Sequence, residues 1–461
     1  MSIHSEHARF SRFVTMSSSR INSASPWLGL LQIAFALLLG LAMVGPAMTG
    51  GSDLGDAAGS AFRQTLYLVV GLLILVGIRP LMQPSRMAVV PWPILVLLAY
   101  CAVTLLWSIA PAGGLRRLIL TALIIWSIFA AASELGYSRT LGALRLVLAL
   151  AVFGNIATAL LLPGIGIHQA NDVLDKNLIG DWCGFMMQKN ITAAATAFAI
   201  LAFLFGGGRL SPSLRYGVLA AATFLLFKTG SRTSMGACAG TAFIGFLFLA
   251  YRARFRTTLL LTSVLTLFAV RAVFGAIQVN KILYPSDPKL LSGRSDIWVP
   301  LLDFARDSHY LGAGFGSFWD VGAGSPIFRY AKGWVVTLGQ GHNGYLDLLV
   351  TIGLPGLLLA IIVLFALPMM RLLASRAAEG QRGALVIAMI AFCITQNATE
   401  TSLLDRDTIG EIMLMTALAL LTLITRDAGP NWLRPYRRPA FVGFAAHAHR
   451  PAEPLPNARV A

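Results

Sequence analysis

The chain has 461 residues, 56% of them hydrophobic and 12% charged, with a mean hydropathy of +0.72. Soluble domains carry roughly 25% charged residues, so these few charges cannot cover a water-facing surface and a single soluble globule is excluded. The formal net charge is +16, but the basic residues sit mostly in short loops between apolar runs, where they set membrane orientation; with no nucleic-acid-binding motif present, a nucleic-acid partner is not expected.

The N-terminal stretch to Ser25 is polar and carries Arg9, Arg12 and Arg20. Residues 1–27 read as a cytoplasmic tail. The first apolar run, Leu28 to Met48, is too long for the h-region of a cleaved signal peptide and reads as a retained helix. Further apolar runs start near Gln64, Val90, Arg116, Leu141, Ile191, Leu214, Thr233, Thr257, Leu354, Ala384 and Ile409. Their length and composition predict an all-α polytopic membrane protein of about twelve spans within residues 28–425. Residues 426–461 form a second tail.

The short loops alternate in character. Arg79 and Arg86, Arg139, Arg209 and Arg215, Arg252 to Arg256, Arg371 to Arg382, and Arg426 to Arg438 mark one side. The opposite turns are acidic or neutral, so the basic set and both termini are expected in the cytoplasm. Arg116 and Arg117 break the pattern at the outer end of the fourth span, where they either snorkel to headgroups or serve function. Two long outer segments remain, residues 163–190 and 280–341, the larger between spans nine and ten. Its glycine, aromatic and charged residues suit an ordered loop. The four cysteines show no pairing or metal-ligand spacing.

Candidate chemistry gathers at the outer ends. Arg232 sits in a hinge too short for a loop, either as a headgroup anchor or as a planar fork for phosphate oxygens. Arg294 opens an expected amphipathic helix with Ser292 as its cap and Ile297, Leu301, Leu302 and Ala305 on its apolar face; a surface salt bridge is the plainer role. Gly353, Pro355 and Gly356 should break a helix, leaving Asn343 to Ile352 as a short segment before the tenth span. Asn343, Asp347 and Thr351 then form a polar stripe, with His342 at the helix start as either a cap or a proton acceptor. Gln396, Asn397, Thr399, Glu400 and Thr401 form a polar cluster in which Glu400 needs a partner, if only a salt bridge at the bundle mouth. Asn190, beside Lys189, reads as an N-cap for the sixth span. There is no phosphate-binding loop and no zinc motif, and a sugar donor bound outside the cytoplasm would have to be lipid-linked because nucleotide sugars are cytoplasmic.

These pieces in this order resemble the O-antigen ligase and polysaccharide polymerase superfamily, especially its exopolysaccharide polymerase branch. The matching residues are Gly184…Lys189-Asn190, Ser231-Arg232, Gly293-Arg294…Trp298, Gly312 to Trp319, Gly341-His342-Asn343-Gly344-Tyr345-Leu346-Asp347 and Asn397-Ala-Thr-Glu400-Thr. The resemblance implies an all-helical enzyme of the bacterial inner membrane. It would transfer glycan from undecaprenyl diphosphate to an acceptor hydroxyl at the periplasmic face, as a metal-independent glycosyltransferase with no cofactor. It places diphosphate binding on Arg232 and Arg294 and the base on His342, with Lys189, Asn190, Trp298, Asn343, Tyr345, Asp347 and Glu400 as substrate-binding candidates. A chain-length regulator or export complex is a candidate partner alongside the lipid bilayer. Cys183 stands where the family often has arginine, and Lys176 or Lys189 are the available substitutes. The alternative functions are an O-antigen ligase acting on a lipid A core and, further off, a lipid-oligosaccharide flippase.

Overall fold

The computed structural model describes residues 26–48, 61–170, 178–208, 210–259 and 293–426. Both tails, the acidic turn after the first helix, Lys176, Ser292 and most of the ninth expected span lie outside the described residues. Within them the chain is helical, with a lone β-bridge between Ile167 and Trp182.

The principal helices are α1 (Pro26–Met48), α2 (Ala61–Ile78), α3 (Trp92–Thr104), α4 (Pro111–Leu161), α5 (Lys189–Leu204), α6 (Pro212–Lys228) and α7 (Arg232–Ala250). They continue as α8 (Arg294–Asp307), α9 (Gly344–Ile361), α10 (Leu367–Ala374), α11 (Gln381–Gln396) and α12 (Ile409–Thr425). A π turn, Ile362–Ala366, joins α9 to α10. Among the described residues, five segments are long and apolar enough to cross a membrane: α1, α2, α4, α7 and the α9–α10 run Gly344–Ala374. Four shorter apolar helices accompany them. Among these, α5 and α11 have 16 residues each, about 24 Å of helix against a hydrocarbon core of about 30 Å. The fourth and fifth expected spans are the two limbs of α4, which part at Gly136, where the backbone leaves the helical region with φ 69° and ψ 172°.

Burial sorts the helices into an inner and an outer set. Thr192 to Phe203 of α5 and Gly383 to Cys393 of α11 are all buried, and α12 is nearly so. Helices that are apolar on every face belong at the centre of a bundle. The outer helices turn apolar side chains outward instead, among them Leu68 and Leu72 of α2, Leu146 and Leu150 of α4, and Phe243 and Leu247 of α7. So much exposed aliphatic and aromatic surface is the pattern of a lipid-facing wall.

The described part of the large outer loop begins at Gly293. Its α8 starts after Gly293, whose φ is 74°. Ile297, Leu301, Phe304, Phe318, Trp319 and Ile327 pack as a small core separate from the bundle. Phe304 and Phe318 meet edge to face at 4.9 Å.

The expected break before the tenth span is present at Gly353, where φ is 73°. A side chain there would meet the Tyr310 carbonyl oxygen at 2.4 Å, so both the conformation and the space require glycine. The break frees carbonyls at the end of the short helix 344–352. The loop takes them: Ala313 N donates to Val350 O and Gly314 N to Thr351 O, each at 2.8 Å. Leu354 N, beyond the kink, donates to Tyr310 O at 2.8 Å. Tyr100 Oη caps Ile352 O from α3 at 3.2 Å. Every one of these bonds replaces a helical one lost at the kink, which a low-dielectric setting demands.

Arg117 has a role on the same loop. It donates to Gly316 O at 2.9 Å and Trp319 O at 3.3 Å, fixing the glycine-rich stretch against α4. Asp320 follows in a left-handed conformation, φ 56°. Burial pushes its carboxyl up to about 6, against the opposing pull of Arg117. An acid with a raised folded-state pKa binds more protons folded than unfolded, so folding loses stability as pH rises from about 4 to 6. Asp320→Asn should therefore raise the melting temperature at pH 7.5, and the gain should shrink towards zero at pH 4. Thermal unfolding of both proteins across this range checks it; a gain independent of pH would remove Asp320 as the titrating group.

Candidate active site

One end of the bundle gathers polar side chains from five places in the chain. At its centre is Glu400, in the turn after α11. Arg294 Nη2, in the first turn of α8, donates to Glu400 Oε1 at 3.0 Å. Asn190 Nδ2, in the first turn of α5, donates to the same oxygen at 2.8 Å. His342 Nδ1 lies 3.3 Å from Oε2. The side chains of Arg294, His342 and Glu400 are only 13–16% exposed, so the ion pair works in reduced dielectric. Arg294 Nε is buried without a hydrogen bond.

The cluster extends inward. Ser231 Oγ donates to Asn190 Oδ1 at 3.0 Å and lies 3.2 Å from Ser234 Oγ. Ser234 in turn reaches Gln396 Oε1 at 3.4 Å. Asn190 is thus held from both sides and does not cap α5. The cap is Gln188, whose side chain accepts from Ile191 N at 2.8 Å. The N-cap role falls two residues earlier because Asn190 is drawn into contacts with α7 and the turn after α11.

The remaining sequence candidates divide by what their polar atoms touch. Arg232 is exposed as the first residue of α7, one step from Ser231, and makes no ion pair among the described residues. Lys189 pairs with Asp181 at 2.6 Å. Trp298 Nε1 donates to Gly341 O at 3.1 Å. Asn343 caps α9, accepting from Tyr345 N and Leu346 N at 3.1 Å each. Tyr345 Oη donates to Ile394 O in α11 at 2.8 Å. Asp347 is buried and accepts from Trp319 Nε1 at 2.7 Å, from Gly341 N and from Thr401 Oγ1. These contacts converge on the residues either side of His342, which itself holds a left-handed φ of 47°.

A cavity of about 220 Å³ opens beside Glu400. Asn190, Gln396, Ser402 and Thr408 line it with amides and hydroxyls, and the Arg63–Asp407 pair, 3.1 Å apart, closes its far side. Sequence reasoning missed Asp181 and Arg63 as members of this end of the bundle. Asp405, Arg406 and Asp407 are legible as charges in the outer turn after Glu400, open to salt bridges at the bundle mouth, but nothing local pairs residue 407 with Arg63.

Residues 217–361 match the O-antigen ligase family model. That segment carries the likeness to the O-antigen ligase and polysaccharide polymerase superfamily. The matched span holds Arg232, Arg294, Trp298, His342, Asn343, Tyr345 and Asp347, while Lys189, Asn190 and Glu400 reach the site from outside it. No curated protein matches the sequence. Together the apolar helices and the ligase-family match support a multi-pass membrane protein of ligase or polymerase type.

Proposed function

We propose that the chain is an exopolysaccharide polymerase that joins undecaprenyl-diphosphate-linked repeat units at the periplasmic face of the bacterial inner membrane. The observation that carries the reading is the convergence of Arg294, Asn190 and His342 on Glu400 beside a polar cavity. With the Nδ1 proton given to Glu400, the imidazole keeps its lone pair on Nε2. That nitrogen takes the proton of an acceptor hydroxyl as the hydroxyl oxygen bonds to the anomeric carbon of the donor. The bond from that carbon to the diphosphate oxygen breaks, and the lipid diphosphate leaves with the electron pair. Glu400 stabilises the imidazolium that forms. Arg294, with a donor still unsatisfied at Nε, and Arg232, exposed at the start of α7, supply positive charge to the departing diphosphate; fixed guanidinium groups do this most effectively where water is excluded. The hydroxyl- and amide-lined cavity suits the sugar next to the bond being broken. Trp298, Asn343, Tyr345 and Asp347 position the His342 segment, and Lys189 is held by Asp181.

The orientation follows from charge: Arg86, Arg252, Arg371, Arg376 and Arg426 lie at the end of the bundle away from Glu400, which the positive-inside rule assigns to the cytoplasm. A transporter would be expected to hold its polar site near the bilayer midplane, whereas this cluster sits at helix ends. The test gives the purified protein in nanodiscs a defined lipid-linked repeat unit and nothing else. A ladder of longer lipid-linked glycans is the expected product. No reaction until a lipid A core is added would make the chain a ligase instead. Movement of the donor across vesicles without new glycosidic bonds would make it a flippase.

A further inference from the structure

A second cavity, of about 600 Å³, lies at the opposite end of the bundle. It opens between the end of the first limb of α4, the turn Pro84–Met87, Arg371 in the last turn of α10, and the last turn of α12. Three arginines line it, Arg86, Arg371 and Arg426, against one acid, Glu134. Arg86 is already satisfied: its Nη1 lies 3.2 Å from Glu134 Oε2 and 3.4 Å from the Ile78 carbonyl oxygen. Arg371 and Arg426 have no ion-pair partner among the described residues. Two positive charges therefore face a space lined further by Gln83, Ser85 and Thr422. Arg371 lies in the last turn of α10 and Arg426 directly after α12, and the helix dipole accounts for part of their placement. It does not account for three arginines lining one cavity with a single acid among the described residues.

The surroundings point to an amphiphile. Leu81 and Met82, next to the cavity wall in the chain, are 99% and 76% exposed, and Met370, beside Arg371, is 48% exposed. A charged recess with an apolar skirt is the arrangement found where a basic pocket between membrane helices meets the headgroup region. We propose that this cavity binds the phosphate of an anionic phospholipid, with Arg371 and Arg426 as its ligands and the acyl chains lying against the exposed residues beside it. The site is separate from the Glu400 cluster and does not depend on the reaction proposed for it.

The experiment is native mass spectrometry of the full-length protein released from detergent after incubation with phosphatidylglycerol or phosphatidylcholine. The wild-type protein should retain phosphatidylglycerol in preference. Arg371→Gln and Arg426→Gln should each weaken that retention about fivefold, as expected for one charge at a lipid surface, and the double variant should lose the preference. The Arg371→Lys/Arg426→Lys variant keeps the charge and should restore much of it, which separates lost binding from lost folding. Arg329→Gln, in the outer loop, should change nothing. Equal retention by wild type and the double glutamine variant overturns the site. Inorganic phosphate that displaces the lipid at comparable concentration would assign the cavity to a soluble anion and overturn the lipid.

Discussion

His342→Ala is expected to slow glycan elongation by about 10²–10⁴-fold, the usual contribution of a positioned general base, while the protein stays folded and membrane-inserted. Glu400→Gln should cost about as much. It keeps the size of the side chain but removes the charge that pairs with Arg294 and holds the Nδ1 side of the imidazole. The two substitutions remove parts of one device, so their effects should not add: the double variant should be no slower than the worse single one, as for other residues that act as a unit. Turnover of a defined lipid-linked donor by the three variants, with size-exclusion profiles as the fold control, decides it. Multiplying penalties would mean that Glu400 works independently of His342, for instance by binding sugar. Normal-length polymer from His342→Ala would end its assignment as base.

That coupling was only half legible in the sequence. Each residue was visible as costly at the end of an apolar run: Arg294, His342 and Glu400 stand out because charge near a membrane needs a partner. Their partnership was not, because the pairs are separated by 210 residues for Asn190–Glu400, 106 for Arg294–Glu400 and 58 for His342–Glu400. No local pattern encodes such distances. Local chemistry was read well where the backbone itself decides, as at the Gly353 break and along the apolar face of α8. It failed where a tertiary contact outbid a local one. Asn190 is as good a capping residue as Gln188, and its use elsewhere follows from the approach of Ser231 and Glu400. The break at Gly136 between the fourth and fifth expected spans belongs with Gly353 instead, since there too the backbone leaves the helical region at a glycine.

Asp347 illustrates the larger consequence of such contacts. Its carboxyl accepts from the Trp319 indole, the Gly341 amide and the Thr401 hydroxyl, joining the glycine-rich loop, the residue before His342 and the turn that carries Glu400. Asp347→Ala would leave these buried donors without an acceptor, at about 1–3 kcal/mol each. The expected sum, on the order of 3–9 kcal/mol, is a large part of the 5–15 kcal/mol by which a folded domain is held. Trp319→Phe removes one donor and keeps the ring in the loop core, so it should cost about 1–2 kcal/mol. The loss should concentrate in the loop. Its α8 packs on α9, with Leu301 and Val350 in one apolar cluster, and a side chain at position 341 would collide with Leu301 and the Asp347 carboxyl. Limited proteolysis should therefore cut Asp347→Ala within residues 308–341 at protease levels that spare the wild type, and its melting temperature should fall well below that of Trp319→Phe. Activity should fall with it, since Gly341 sets the direction in which the chain enters His342. An Asp347→Ala protein with a wild-type melting temperature and an intact loop would show that these donors find other partners, and the positioning role given to Asp347 would then pass to the Trp298–Gly341 bond.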